Sequence, residues 1–398
     1  MKCYAVLLPC VLIIFFSCKK DKPANTPTVV TYSNGPVDSL KINQVSILAS
    51  HNSYHLKTDS NVFAFITRID SSGLLPGGLD PRELDYSHLP LTQQLVDYKI
   101  RGLELDVWND PTGGRFFYRG IYSLMGLSAA SNIDILNLPG FKILHIPDID
   151  FNPTNYTFVD ALNEIKTWSD AHPNHLPLFI NVETEVEAPG DMITLAEFVH
   201  AAPFDATAAD ELDNEIKSVF GTDLKGIITP DVVRGNYATL EQAVLAGNWP
   251  TLGAARGKIM FITDPDGNSG NVYMSGHPSL QGRVAFVYVN PGIPEAAFVK
   301  LNGPIGSFTQ IQQAVKQGYI VRTMSDDATL EARSGDYSQM NAAFGSYAQI
   351  VSTDYYRADY RAGTPGWSDY HVVLPGGGPG RVDSIAAPTQ LGLGVLKE

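Results

Sequence analysis

Short apolar runs alternate with segments of helical period along most of the chain, and this alternation restricts the fold more than any other feature. The runs fall at 45–49, 102–107, 142–146, 177–182, 258–263, 284–289, 319–323 and 349–352. Between them lie helix-like stretches, among them 157–171, 208–220, 240–246, 309–316 and 337–344. Phe158, Leu162, Ile165 and Trp168 share one face of the first stretch, with Asp160, Glu164 and Asp170 facing away. Eight apolar strands separated by helices predict an α/β fold, a single-domain (β/α)8 TIM-type barrel, over an open doubly wound sheet. The run at 227–233 is a candidate ninth strand. Everything after Asp354 reads as a C-terminal appendage, including a Gly/Pro turn cluster at 374–381.

The first 17 residues predict a signal peptide: Lys2, then an apolar stretch of about 13 residues, too short to span a bilayer comfortably. It ends at Phe16-Ser17-Cys18, similar to a bacterial lipobox, so Cys18 is expected to be acylated as the mature N-terminus. A plain secretory signal cleaved elsewhere is the alternative. Residues 18–38, rich in Pro, Thr, Lys and Asn, then form a lipidated N-terminus and linker, and 39–398 the barrel. The expected location is a bacterial cell envelope, by lipid anchor, or the secreted space, and the expected state is a monomer. All three cysteines, Cys3, Cys10 and Cys18, precede the domain, which leaves it no disulfide or thiolate metal site.

Hydrophobic residues at 44% and charged residues at 18% are an ordinary globular composition, which excludes disorder and a multi-span membrane protein. A formal net charge of −14 argues against nucleic acid as a partner. An anionic substrate then needs local positive charge or a bound metal.

Polar residues gather where the apolar runs end. The first run empties into His51-Asn52-Ser53-Tyr54-His55, at the C-terminal mouth of a barrel, where its loops converge. Taken alone, His51 is more simply a hydrogen-bonded structural residue. In Glu104-Leu105-Asp106 the acids are at i and i+2, on one face of a strand and about 6.6 Å apart. Two such carboxylates resist ionisation unless neutralised. A hard cation, calcium or magnesium, does this, and a salt bridge to Arg101 or Arg322 is the alternative. The third run brings His145 to the rim, and the fourth repeats the same-face pair as Glu183 and Glu185.

Two histidines supply an acid and a base suited to neutral pH, and Asn52 with the carboxylates supplies an all-oxygen metal shell. Zinc fits less well, since the domain has no cysteine and no His-Glu-x-x-His helix. From later runs Arg322 and Asp354 also reach the mouth. Arg322 is expected either on a substrate phosphate or paired with Asp354 or Glu331, and Glu185 serves as a reserve ligand.

In order, His51-Asn52-Ser53-Tyr54, Glu104-Leu105-Asp106-Val107-Trp108, His145 and Asn181-Val182-Glu183 resemble the catalytic X region of calcium-dependent phosphoinositide phospholipases C. Leu91-Thr92-Gln93-Gln94-Leu95, the segment around Arg322 and the segment around Asp354 are similar to the secreted bacterial branch, over about residues 42–385. The resemblance implies catalytic roles for His51 and His145, and Ca2+ ligation by Asn52, Glu104, Asp106 and Glu183. It also implies cleavage of phosphatidylinositol, or a related inositol phosphodiester, to diacylglycerol by attack of the inositol 2-hydroxyl.

Eukaryotic members hold ring phosphates with lysines, where this chain reads Thr263-Asp264-Pro265-Asp266, so an unphosphorylated headgroup is expected. Two alternatives stand beside this reading. One is a glycerophosphodiester phosphodiesterase, although its His-Arg-Gly opening and Glu-Asn-Thr turn are absent. The other is a non-catalytic surface lipoprotein that binds a glycan or lipid headgroup.

Overall fold

Residues 30–32, 36–70, 80–192, 198–387 and 394–398 are described by a computed structural model. Within it Val45–Ser50, Gly102–Trp108, Leu178–Glu185, Ile259–Pro265 and Phe286–Val287 pair in parallel in that order. Phe298–Lys300, Ile320–Met324 and Ile350–Thr353 continue in parallel back to Val45–Ser50. One parallel bridge, Tyr288 to Phe298, joins the two arcs. The result is a nearly closed eight-stranded parallel barrel with surrounding helices, consistent with a (β/α)8 TIM-type fold.

Every residue of Val45–Ser50 and Gly102–Trp108 is buried, as parallel strands between a packed interior and a helical coat must be. Gly102 stands opposite Ala49, and a Cβ on it would come within 2.5 Å of the Ala49 Cβ, so this small pair lets the first two strands close. Outside the barrel, Thr157 caps Phe158–Ala171 by accepting from the Asp160 amide at 3.1 Å. The helix buries the stripe of Phe158, Leu162, Ile165 and Trp168 that the sequence predicts. Asp205 caps Ala206–Phe220 in the same way, accepting from the Ala208 amide at 3.0 Å.

The eight strands are not quite the eight expected ones. Of 142–146 only Lys142–Ile143 is extended, and it pairs antiparallel with Val107 and Trp108 at the end of a barrel strand. Pro147 lacks the N–H a ladder needs and Asp148 takes φ 68°, so the chain turns back and Ile146 bridges Asp150. The place in the barrel goes to Phe298–Lys300, a strand of three residues that the sequence pattern does not single out. The run at 227–233 is not a ninth strand, because Ile227 makes one bridge to Ile259 and Pro230 then opens the helix Pro230–Arg234.

Cys18 and the expected signal peptide lie outside the described residues. Inside the expected linker, Val30–Tyr32 pairs in parallel with Gly394–Leu396. Gly380–Val382 connects that pair to the start of Val45–Ser50, so the C-terminal segment is knitted into the barrel. At this floor Arg101 is buried, its Nε donating to Glu398 Oε1 at 2.5 Å, at the opposite end of its strand from the mouth. Among the described residues no helix is long and apolar enough to cross a membrane.

Candidate active site

Register brings the acids together. Glu104 stands beside Asn181, Asp106 beside Glu183, and Glu183 beside Asp264 on the next strand. Glu104, Asp106 and Glu183 each place an oxygen within 4.8 Å of the others. Glu104 has both oxygens engaged: Asn181 Nδ2 donates to Oε1 at 2.7 Å and Arg322 Nη2 to Oε2 at 2.5 Å. Asp106 Oδ2 accepts from the Tyr54 hydroxyl at 2.6 Å, while its Oδ1 is buried without a partner. The Glu183 side chain has no hydrogen bond or ion pair among the described residues.

The charges follow from this. Burial, then Glu183 and Glu185, hold the Asp106 carboxyl well above the usual range. Burial with Asp264 and Glu104 pushes Glu183 to about 7, and burial with Glu183 and Asp266 pushes Glu185 to about 8. Glu104 moves the other way: burial opposes its charge, but Arg322, His51 and Lys300 outweigh it. An all-oxygen cluster that repels itself, with an orphaned buried carboxylate oxygen, is consistent with a Ca2+ site.

Asn52 is buried and in the left-handed region at φ 41°, which asparagine tolerates better than most residues. Ser53 fixes it to the neighbouring strand, its amide donating to the Glu104 carbonyl at 3.0 Å and its Oγ accepting from the Glu104 amide at 2.8 Å.

Each expected catalytic histidine rests on a buried aspartate. His51 Nδ1 meets Asp354 Oδ1 at 2.9 Å, with the His51 side chain 26% exposed and Asp354 1%. Burial disfavours the charged ring, yet Asp354 and Glu104 prevail and raise His51 to about 10. His88 supports the same loop, donating from Nε2 to the His51 carbonyl at 2.8 Å. His145 Nδ1 meets Asp150 Oδ2 at 2.7 Å, with the His145 side chain 24% exposed and Asp150 buried. The same oxygen takes His55 Nε2 at 2.6 Å. His55, His145 and Asp150 are close enough to share an ion, but two imidazoles suit calcium poorly, and Asp150 is already the acceptor for both rings.

Of the remaining expected residues, Arg322 and Asp354 are buried and Glu185 is half-buried. Arg322 is 3% exposed and pairs with Glu104 and, at 3.6 Å, Asp264, not with Asp354 or Glu331. Asp354 is buried beneath His51. Arg101 takes no part, being at the floor. The sequence reading names no role for Asp150, His55, His88, Asn181 or Lys300. Lys300 leaves the unrecognised strand Phe298–Lys300 and pairs with Asp264. Asp150 was findable as the acid five residues after His145, across the Pro147-Asp148 turn.

Residues 40–384 match the family described as Phosphoinositide phospholipase C, Ca2+-dependent. No curated protein matches the chain. Among solved structures, a calcium-dependent phosphoinositol-specific phospholipase C of a Gram-negative Pseudomonas species is 16% identical, with 84% of this chain and 96% of that one covered and a TM-score of 0.47. A Ca2+-dependent phosphatidylinositol-specific phospholipase C from Streptomyces antibioticus is 15% identical, with coverage of 80% and 95% and a TM-score of 0.49. The family match spans most of the chain and the residues of the mouth lie within it, so this chain belongs to the Ca2+-dependent phosphoinositide phospholipase C family.

Proposed function

We propose that the chain is a phosphodiesterase of the bacterial cell envelope, of the secreted branch of its family and anchored through Cys18. It cleaves phosphatidylinositol, or a related inositol phosphodiester, to diacylglycerol and inositol phosphate. The observation that carries this reading is one barrel mouth holding the Glu104, Asp106 and Glu183 cluster together with two histidines braced on buried aspartates.

Calcium held by Asn52, Glu104, Asp106 and Glu183 would supply positive charge to the phosphoryl oxygen and the attacking hydroxyl. The nucleophile is the substrate's own 2-hydroxyl, and its proton passes to Glu183, since both Glu104 oxygens are engaged. As the bond from that oxygen to phosphorus forms, the bond from phosphorus to the glycerol oxygen breaks. His145 Nε2 gives the departing oxygen its proton, the ring being aimed through Nδ1 by Asp150. When water opens the cyclic phosphate, the neutral ring takes the proton of the attacking water, the bond from phosphorus to the 2-oxygen breaks, and Glu183 returns its proton to that oxygen. His51, held charged by Asp354 and Glu104, stabilises the phosphoryl group.

In this reading Arg322 holds Glu104, and Asp354 braces His51, in place of contacting substrate. Lys300 is tied to Asp264, which favours an unphosphorylated ring. The deciding assay offers purified protein phosphatidylinositol and glycerophosphoinositol, each with calcium and with excess chelator. Turnover of phosphatidylinositol only with calcium is the expected result. Turnover of glycerophosphoinositol alone selects the glycerophosphodiesterase, and binding without turnover of either selects the non-catalytic lipoprotein. A 2-deoxy inositol lipid should bind and not react, and normal turnover of it would rule out attack by that hydroxyl.

A further inference from the structure

We propose that His55 is a positioning residue that fixes the aim of His145 through their shared partner Asp150. The proposal rests on the reading of His145 as general acid.

Three observations carry it. First, one carboxylate oxygen, Asp150 Oδ2, receives both rings, His55 Nε2 at 2.6 Å and His145 Nδ1 at 2.7 Å. An ionised carboxylate only accepts, so both facing nitrogens are N–H donors. The other oxygen, Oδ1, is buried without a partner, so the two rings alone set the rotation of the carboxylate.

Second, His55 is far better fixed than His145. It is buried, stacked on Tyr86 with ring centroids 4.2 Å apart, and its backbone pairs with Pro153 in a short antiparallel ladder. Its amide also donates to the Asn52 carbonyl at 2.8 Å. By contrast, His145 is about a quarter exposed, held by its hydrogen bond to Asp150 and by an edge-on contact with the His55 ring, centroids 5.4 Å apart.

Third, His55 Nδ1 is buried without a partner, so a proton on it would have nowhere to bond. Asp150 is therefore the one side-chain hydrogen-bond partner of the ring among the described residues, and the ring meets it as an Nε2–H donor. Its contribution is geometric: with the donor removed, Asp150 can swing and His145 Nε2 loses its line to the leaving oxygen.

A general acid matters only when the leaving group needs a proton, which gives a readout that a merely structural role would not move. The experiment measures kcat and KM, with saturating calcium, on phosphatidylinositol in mixed micelles and on a 4-nitrophenyl inositol phosphodiester, whose phenolate leaves unprotonated. For His55→Leu, kcat on the lipid should fall about 10- to 100-fold with KM unchanged, and kcat on the aryl ester by less than about threefold. His55→Gln places an amide N–H near the Nε2 position and should recover about tenfold of the loss. His145→Ala, run alongside, separates the two claims. If it loses both substrates equally, the general-acid reading fails, and the positioning role is then judged by whether His55→Leu follows the same pattern. A His55→Leu variant that departs from the His145→Ala pattern, or keeps wild-type kcat, overturns the proposal. Should His55→Leu melt as an unfolded chain, His55→Gln and His55→Asn decide. Asparagine is too short to reach Asp150, so equal behaviour of the two overturns the proposal, and retention in Gln with loss in Asn supports it.

Discussion

Arg322 Nη2 meets Glu104 Oε2 at 2.5 Å inside the barrel, while Arg322 Nη1 lies 3.6 Å from Asp264 Oδ2. One of the clustered carboxylates therefore carries its own counter-charge, and Asp106 and Glu183 have no ion pair among the described residues. The mouth is thus divided into an acid kept ionised by the protein and two without an ion pair of their own.

Replacing Arg322 should act on the scaffold more than on substrate binding. Arg322→Met leaves Glu104 buried without its counter-charge, Asp264 keeping only Lys300, and should cost about 3–5 kcal/mol in urea unfolding. Arg322→Lys should cost less, about 1–2 kcal/mol, because an ammonium cannot span both acids as the guanidinium does. KM for the lipid should stay within about twofold in that variant. A raised KM at unchanged stability would instead place Arg322 on the substrate phosphate.

Asp106→Asn should separate stability from metal binding. Asp106 is buried beside Glu183, Glu185 and Glu104, so removing its charge relieves repulsion and should raise Tm in excess chelator. Calcium should then give little further rise, with at least about tenfold weaker apparent affinity. A wild-type calcium shift in the Asn variant would show that Asp106 is not a ligand.

The barrel was legible because burial on both faces leaves unbroken apolar runs, as in Gly102–Trp108, where only Glu104 and Asp106 interrupt the pattern. Strand-end position was legible for the same reason, and it located Glu104, Asp106 and Glu183. Two things were not. The run at 142–146 has strand composition, but Pro147 and the φ of 68° at Asp148 reverse the chain, which no apolar pattern reports. Phe298–Lys300 is too short to show a period, so Lys300 went unseen with it. Two of the histidine–aspartate contacts join distant sequence: Asp354 reaches His51 across 303 positions, and His55 meets Asp150 across 95. Contacts of that kind are set by closure of the barrel, not by local spacing.

Gly102 offers a test of how tightly that closure is built. In Gly102→Ala the new methyl would sit 2.5 Å from the Ala49 Cβ and 3.2 Å from Ile47 Cδ1. Overpacking of this kind should cost about 1–3 kcal/mol. Because Glu104 lies two residues on, calcium affinity should fall as well. Adding Ala49→Gly moves the small residue to the facing strand and should recover at least about half of the loss. If the double variant were no more stable than the single one, crowding at Ala49 would not be the cause.

Glu215 should make the fold less stable as pH rises through the weakly acidic range. Its side chain is buried on Ala206–Phe220, with Oε1 accepting from the Phe141 amide at 2.8 Å and Oε2 unpartnered. Burial pushes its carboxyl from 4.5 to about 7, the Phe141 amide and Lys142 opposing and Glu211 adding to the rise. The folded chain therefore keeps a proton between about pH 4.5 and 7 that the unfolded chain has released. Stability falls across that window as pH rises, is uncompromised below it, and carries the full cost above it. At about 1.4 kcal/mol per pKa unit the cost is on the order of 3 kcal/mol. Glu215→Gln keeps an acceptor for Phe141 and cannot ionise, so it should gain roughly 1–3 kcal/mol over the wild type at pH 8 and almost nothing at pH 4.5. Urea unfolding at both pH values measures this directly. An equal increment at the two would mean that Glu215 is already ionised in the folded chain at pH 4.5, and that its environment, including Lys142, stabilises the charge.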